Sequence, residues 1–415
     1  MPGYPGQNIH SFFSGGGVVN RPLEGIRVLD VSRILAGPFC TMLLADLGAE
    51  VVKVEMPGSG DPSRSIEPTI NGDSVFFISI NRGKKSITIN LSKQEGQKVF
   101  RDLVPHFDVL VENFVPGTMA RFGLDYTILR QLNPRLIFTS ISGYGQDGPW
   151  SNRPALDITV MAKGGLMSIT GMPGGEPLRP GASLADSTAG IFAALSIMSA
   201  LWQREKTGEG QYIDTSMLDC QVTMMENPIA RYFGTGKVPG PVGTRNPMAA
   251  PFQVFRGCDS YFAVAIFTNR QEDWKYFCGA MHRPDLGEDP RFRTNNDRNR
   301  HVDVLTDLLQ EEFSKETAAH WLNLFTTAGI SCAPVNNVKQ VTEDEQVLSR
   351  GMIATIPDAS SGSWRVANTP FKMSESETGP AGPAPRLGEH TAQILKEKLN
   401  LSDSQVEAIK KTGAI

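Results

Sequence analysis

The chain has 415 residues, 40% of them hydrophobic and 20% charged, with a formal net charge of -4. That length can bury a large core and points to two structural units, and the balance of residues fits a water-soluble globular class. A mildly acidic chain offers no electrostatic reason for nucleic acid or an anionic membrane as a bulk partner.

The first segment, "MPGYPGQNIHSFFSGGGVVN", has no basic residue before Arg21 and no apolar h-region. It matches neither a secretory signal nor an Arg-rich transit peptide, and 1–22 is expected to be a flexible tail. No apolar run is expected to reach the ~20 residues that span a bilayer. The five cysteines, Cys40, Cys220, Cys258, Cys278 and Cys332, form no CxxC pair and no Cys/His cluster with metal-ligand spacing. A reducing, cytoplasmic setting is the simplest expectation.

"GIRVLDV" (25–31) reads as a buried strand, "GPFCTMLLADLG" (37–48) as a helix and "AEVVKVE" (49–55) as a second buried strand. Together they make a βαβ unit. Strands at 86–91, 108–113 and 135–143 alternate with helices at 93–107 and 125–133. This alternation predicts an α/β fold with an open, mainly parallel, Rossmann-like sheet. A long helix begins near Ser187. After the Gly/Pro-rich stretch 234–251 come a hairpin (252–267, turn at Gly257–Ser260) and helical patterns near 271–282 and 300–327. The expected division is a large domain over 23–225, a smaller α+β domain over 226–328, and a segment 329–415 that returns to the large domain.

Several chemistries lack their motifs. Glu55 ends the second strand, where a ribose-binding carboxylate would sit, but "SRILAGPF" carries one glycine and no GxGxxG. There is no GxxxxGK[ST] phosphate loop and no GxSxG elbow after a strand. The informative stretch is "GASLADSTAG" (181–190), where Asp186 stands among small residues before an apolar run. It can be a helix N-cap, since a carboxylate accepts bonds from the first helical N–H groups. It can also be a nucleophile, because the helix dipole keeps it ionised and the small neighbours leave room for a ligand.

The segments "PLEGIRVLDVSRILAGPFCTMLLADLGAEVVKVEMPGSGD" (22–61), "NRGKKSITINL" (81–91), "VLVENFVPGTMARFGL" (109–124), "ISGYGQDGP" (141–149), "ADSTAGIFAALSIMSALWQREKTGEGQ" (185–211) and "LGEHT" (387–391) occur in the order seen in class III coenzyme A transferases. The chain resembles that family, the formyl-CoA and carnitine CoA-transferase type, from about Leu23 to His390. The resemblance implies Asp186 as catalytic nucleophile. It implies a CoA site on Ile34–Gly37, here Leu35 and Ala36, and on "ENFVPGTMAR", here Asn113, Phe114 and Arg121. It also implies CoA esters as substrates with no tightly bound cofactor or metal, a free carboxylic acid as second substrate, and an interlocked homodimer, with a hetero-oligomer as the alternative. Arg179 and Arg245 are candidate clamps for a distal carboxylate, such as that of succinate.

The chain also departs from the pattern. Formyl-CoA transferase has a glutamine where Leu35 stands and an arginine where Met56 stands, and its glycine-rich lid has no counterpart in 234–262. Racemases of the superfamily place a histidine directly before the position of Asp157, and here that residue is Leu156. An acyl-CoA:carboxylate CoA-transferase is therefore expected. A racemase or epimerase on the same fold, or a non-catalytic CoA-binding subunit, are the alternatives.

Overall fold

The computed structural model describes residues 21–358 and 362–415, so the expected tail falls almost wholly outside them. Strand β1 (Arg27–Asp30) leads through helix α1 (Ala36–Asp46) to β2 (Glu50–Glu55), which lies parallel to β1 with Arg27 opposite Glu50. Then follow β3 (Lys85–Thr88), α2 (Gln94–Leu103), β4 (Val109–Glu112), α3 (Tyr126–Leu132) and β5 (Ile137–Ser142). Helices α4 (Asp157–Lys163) and α5 (Leu184–Thr207) precede β6 (Tyr212–Ser216).

These six strands form one sheet in the order β3-β2-β1-β4-β5-β6, with every neighbouring pair parallel. Val28, Leu29, Val52 and Leu110 are fully buried because helices cover both faces, which is why these strands read as mainly apolar runs. Chain order reverses between β1 and β4. The loops leaving the carboxyl ends of those two strands diverge there and open a crevice, the usual ligand position in such a sheet. The sixth strand was not predicted. "YIDTS" is an edge strand whose Tyr212 and Asp214 face solvent, so it lacks the apolar run that marks the others.

Helix α5 corrects two expectations. It starts at Leu184, three residues earlier than predicted, and it is long and apolar enough by length and composition to cross a membrane. Its packing is that of a core helix. Ala189, Ala193, Ile197 and Ala200 are buried, and the helix lies against α1, β5 and β6.

The chain divides into two compact units. The larger unit runs to Leu166, resumes over Pro180–Ile229 and closes with Gln346–Ile415. In that last stretch Ile394, Leu395 and Val406 join the apolar core on one side of the sheet. The smaller unit comprises Met167–Arg179 and Ala230–Glu345. Its β7 (Phe252–Arg256) and β8 (Tyr261–Ala265) form the predicted hairpin, with Gly257 N–H donating to the Ser260 carbonyl. Helix α6 (Gln271–Ala280) follows, and the pattern near 300–327 divides into α7 (Val302–Phe313) and α8 (Ala318–Thr327). Thr317 caps the second of these through His320 N–H. The 328 boundary falls inside the unit, because β9 (Ser331–Pro334) pairs with β8. Phe255, Phe262, Trp274, Phe277, Phe313 and Phe325 fill its separate core.

Candidate active site

Over the switch point lies a cavity of about 340 Å³ lined by Arg33–Ala36 from the loop after β1 and by Asn113–Pro116 from the loop after β4. Asp157, at the start of α4, and Asp186, in the first turn of α5, complete it, so two helix starts and two strand ends converge. Asn113 joins the two loops. Arg33 N–H donates to Asn113 Oδ1 at 2.7 Å, and Asn113 Nδ2 donates to the Arg33 carbonyl at 2.8 Å. Ile34 has φ +64, a region that disfavours β-branched residues and costs about 1–3 kcal/mol. Gly37 must be glycine, because a Cβ there would lie 2.2 Å from Ser32 Cβ.

Asp186 is not the N-cap. Ser183 holds that position, and Asp186 sits half-buried inside the first turn. The orphan donors of α5 are taken instead by Asp157, whose Oδ1 accepts from Ala185 N–H at 2.9 Å and Asp186 N–H at 3.4 Å. Two first-turn N–H groups are thus bonded by a residue on another helix.

Of the residues expected from the sequence, Leu35, Ala36, Asn113, Phe114 and Asp186 line this one cavity. Arg121 is exposed at the end of a short helix, with a hydrogen bond to Thr118 Oγ1 at 2.9 Å, and is not a lining residue. Arg179 and Arg245 belong to the smaller unit, and Arg245 is paired there with Asp303 at 2.6 Å. Three charged lining residues were not expected as site residues: Asp157, Arg33 and Arg153. The guanidinium of Arg33 lies 4.8 Å from the Phe114 ring centre and that of Arg153 lies 3.9 Å from the Trp150 ring centre. Both bring positive charge to a wall of the cavity while their forks of donors remain able to take a carboxylate or phosphate.

Glu55 is fully engaged elsewhere, which removes the dinucleotide alternative. Its carboxylate accepts from Arg64 Nε at 2.7 Å, Ser86 Oγ at 2.6 Å and Asp61 N–H at 3.0 Å. Burial works against its charge, but Arg64, with Lys53 and Ser86, more than offsets that and holds it below the ordinary carboxylate range.

A second cavity, of about 310 Å³, lies beside the first and contains Glu112, Ser140, Tyr126 and Tyr212. Burial of Glu112, reinforced by the nearby Asp214 charge, pushes its carboxyl up to about 7 against the pull of Ser140 and Phe114 N–H. The folded protein therefore keeps this proton up to about pH 7, whereas the unfolded chain releases it near pH 4.5. Stability from this group is complete below that lower value and falls as pH rises to about 7, by a total of about 3 kcal/mol. Glu112→Gln keeps an acceptor for Phe114 N–H and cannot ionise. Its urea midpoint should match wild type near pH 4.5 and exceed it increasingly toward pH 8. A midpoint difference independent of pH would assign Glu112 an ordinary, ionised state.

Comparison with known proteins follows the same lines. The model of CoA-transferase family III matches residues 23–391. The succinyl-CoA:glutarate CoA-transferase of Mus musculus is 39% identical over 396 residues, covering 95% of this chain and 90% of that protein. The acetyl-CoA:oxalate CoA-transferase of Acetobacter aceti is 39% identical over 378 residues, covering 91% of this chain and 95% of that protein. Among solved structures, a CAIB/BAIF family protein from Brucella suis superposes with a TM-score of 0.82 at 35% identity, covering 91% of this chain and 100% of that one.

Proposed function

Because the chain belongs to CoA-transferase family III, we propose that it moves CoA between an acyl-CoA and a free carboxylic acid, both dicarboxylic, with Asp186 as the covalent nucleophile. The observation that carries this is the placement of Asp186, on a helix start whose N–H groups Asp157 bonds, in one cavity with the loops after β1 and β4. The Asp186 carboxylate attacks the donor thioester carbonyl, forms an aspartyl–acyl anhydride and expels CoA thiolate. The thiolate attacks the aspartyl carbonyl, releases the donor acid and leaves an enzyme–CoA thioester. The acceptor carboxylate attacks that thioester carbonyl, forms a second aspartyl–acyl anhydride and again frees thiolate. Attack of the thiolate on the acceptor acyl carbonyl gives the new CoA ester and restores Asp186. Thioester energy is kept only while water is excluded.

Leu35, Ala36, Asn113 and Phe114 form the CoA-facing wall, and the exposed Arg121 is suited to a nucleotide phosphate. Arg33 and Arg153 share the cavity with Asp186 and are the cations for a distal carboxylate. Arg245 is already engaged by Asp303. The relative named for succinyl-CoA and glutarate supports a dicarboxylate on each side, and the one named for acetyl-CoA and oxalate supports a dicarboxylate on one side.

Racemisation has less support. It needs a second base across the α-carbon, and the cavity presents Leu156, 71% exposed, beside Asp157. The test is incubation with succinyl-CoA and a panel of dicarboxylic acids in D2O. New CoA esters without α-deuterium, together with hydroxylamine-sensitive adducts on Asp186, are expected. Deuterium at the α-carbon with no transfer to any acid would overturn the transferase. The same assay answers the binding-subunit alternative, which forms no adduct.

A second copy of the chain belongs to this proposal. On α5, Ile191, Leu195 and Trp202 are 49%, 60% and 67% exposed at i, i+4, i+11 spacing, an apolar stripe along one helix face. Light scattering should give twice the mass of the chain, and a monomer at micromolar concentration would refute it.

A further inference from the structure

Beneath the loop after β1 lies a charged cluster that the covalent steps do not use. Lys53, on β2, and Asp61 are both buried, and Lys53 Nζ lies 2.8 Å from Asp61 Oδ2. The same ammonium donates to the Ser32 carbonyl at 2.8 Å. The other oxygen of Asp61 accepts from Ile34 N–H at 3.2 Å and Ser63 N–H at 2.8 Å. Ser32 N–H is taken by Asp30 at 3.0 Å. With Asn113 holding both polar groups of Arg33, the main chain from Ser32 N–H to Ile34 N–H is bonded wholly by side chains, not by helix or sheet. Such a segment has no ladder of its own. Its shape is set by what bonds it from below.

The shape it is given is one it would not choose. Ile34, a β-branched residue, is held at φ +64, where an unsupported loop would relax to negative φ. A conformation of this kind persists only when its surroundings over-determine it. The next residues, Leu35 and Ala36, begin α1 and line the cavity with Asp186.

We propose that the buried Asp61–Lys53 pair is a positioning device for the reaction, forcing Ile34 into its left-handed conformation and thereby fixing the Arg33–Ala36 wall against which the CoA ester is held opposite Asp186. Asp61 and Lys53 touch no substrate and act through Ile34 and Ser32. This rests on the transferase proposal for the occupant of the wall, but the loop's dependence on Asp61 can be read without turnover.

The test uses the full chain as wild type, Asp61→Asn, Ile34→Gly and the double variant. Asp61→Asn keeps an acceptor oxygen but loses the charge. Ile34→Gly removes the strain, so its thermal midpoint should equal or exceed that of wild type. Hydrogen–deuterium exchange at residues 33 and 34 should be slow in wild type and fast in Asp61→Asn. The dissociation constant for CoA by calorimetry, and KM for succinyl-CoA, should rise about tenfold on Asp61→Asn, the scale of one lost positioning bond. In the Ile34→Gly background the same substitution should have a smaller effect on both readouts, because glycine takes positive φ without being forced.

Wild-type exchange and CoA affinity in Asp61→Asn would overturn the proposal. So would an equal effect of Asp61→Asn with isoleucine and with glycine at 34, or a loss in Asp61→Asn that follows its thermal midpoint alone. If wild type neither binds CoA nor uses succinyl-CoA, the transferase fails, and the exchange rates at 33 and 34 still decide whether Asp61 holds the loop.

Discussion

Asp186→Ala and Asp186→Asn are expected to lose CoA transfer by roughly three orders of magnitude or more, because the missing carboxylate is the atom set that forms the anhydride and the thioester. Both should remain folded. Asp186 lies inside the first turn of α5 rather than at its N-cap, and Asp157 bonds the N–H groups of Ala185 and Asp186 whatever side chain stands at 186. Removing an acidic residue from a helix start costs about 0.3–1 kcal/mol through the dipole. Alanine returns some of that through helix propensity. The experiment compares transfer from succinyl-CoA, adduct mass and circular dichroism for each variant. Asn is the sharper replacement, since it keeps the shape and polarity and removes only the nucleophilic charge. Near-native turnover by Asp186→Asn, with deamidation excluded by mass, would end the covalent mechanism. Loss of folding in Asp186→Ala would show instead that the residue's main work is structural.

The sheet was legible where its strands are buried on both faces. Val28, Leu29, Val51 and Val52 sit in mainly apolar strands, broken by the buried Asp30 and Lys53, because helices leave no polar face to alternate with. β6 was not legible, since an edge strand with exposed Tyr212 and Asp214 carries no such run. The composition of "LADSTAG" marked Asp186 as a special position, yet it suggested a cap, because acidic-before-apolar is what a cap looks like locally. The true relation is non-local. Asp157 reaches the helix from 28 positions away in the chain, and no window along the sequence contains both ends of that bond. The conformation of Ile34 was hidden for a different reason. Its residue type argues against positive φ, so only the side chains around it, Asp61 and Asn113 among them, explain why the loop is built that way. Arg153 gave no sequence signal at all, as an arginine in a polar loop is ordinarily just solvated. It became a candidate only when the fold set it in the cavity with Asp186.

Gly190→Val is expected to destabilise the larger unit by more than about 3 kcal/mol, a result opposite to the one helix propensity demands. Glycine within a helix is normally worse than alanine by about 1 kcal/mol, so replacing it should help. At Gly190 the geometry forbids it. A Cβ there would lie 2.8 Å from the Ala36 carbonyl oxygen, 3.0 Å from Phe39 Cδ1 and 3.2 Å from Cys40 N. Two of these three are main-chain atoms of α1, which cannot rotate away as a side chain would. Even Gly190→Ala must therefore push α1 off α5, and the extra methyls of valine push it further. The first residue displaced is Ala36, which lines the cavity with Asp186, so activity should fall together with stability. The matched control is Gly279→Ala in α6, where a Cβ meets nothing within 4 Å and the propensity gain is free to appear. Urea unfolding of the two alanine variants should move in opposite directions, Gly279→Ala upward and Gly190→Ala downward. A midpoint for Gly190→Ala at or above wild type would mean that α1 and α5 cross less closely than this geometry requires. The cavity wall could then not depend on their contact.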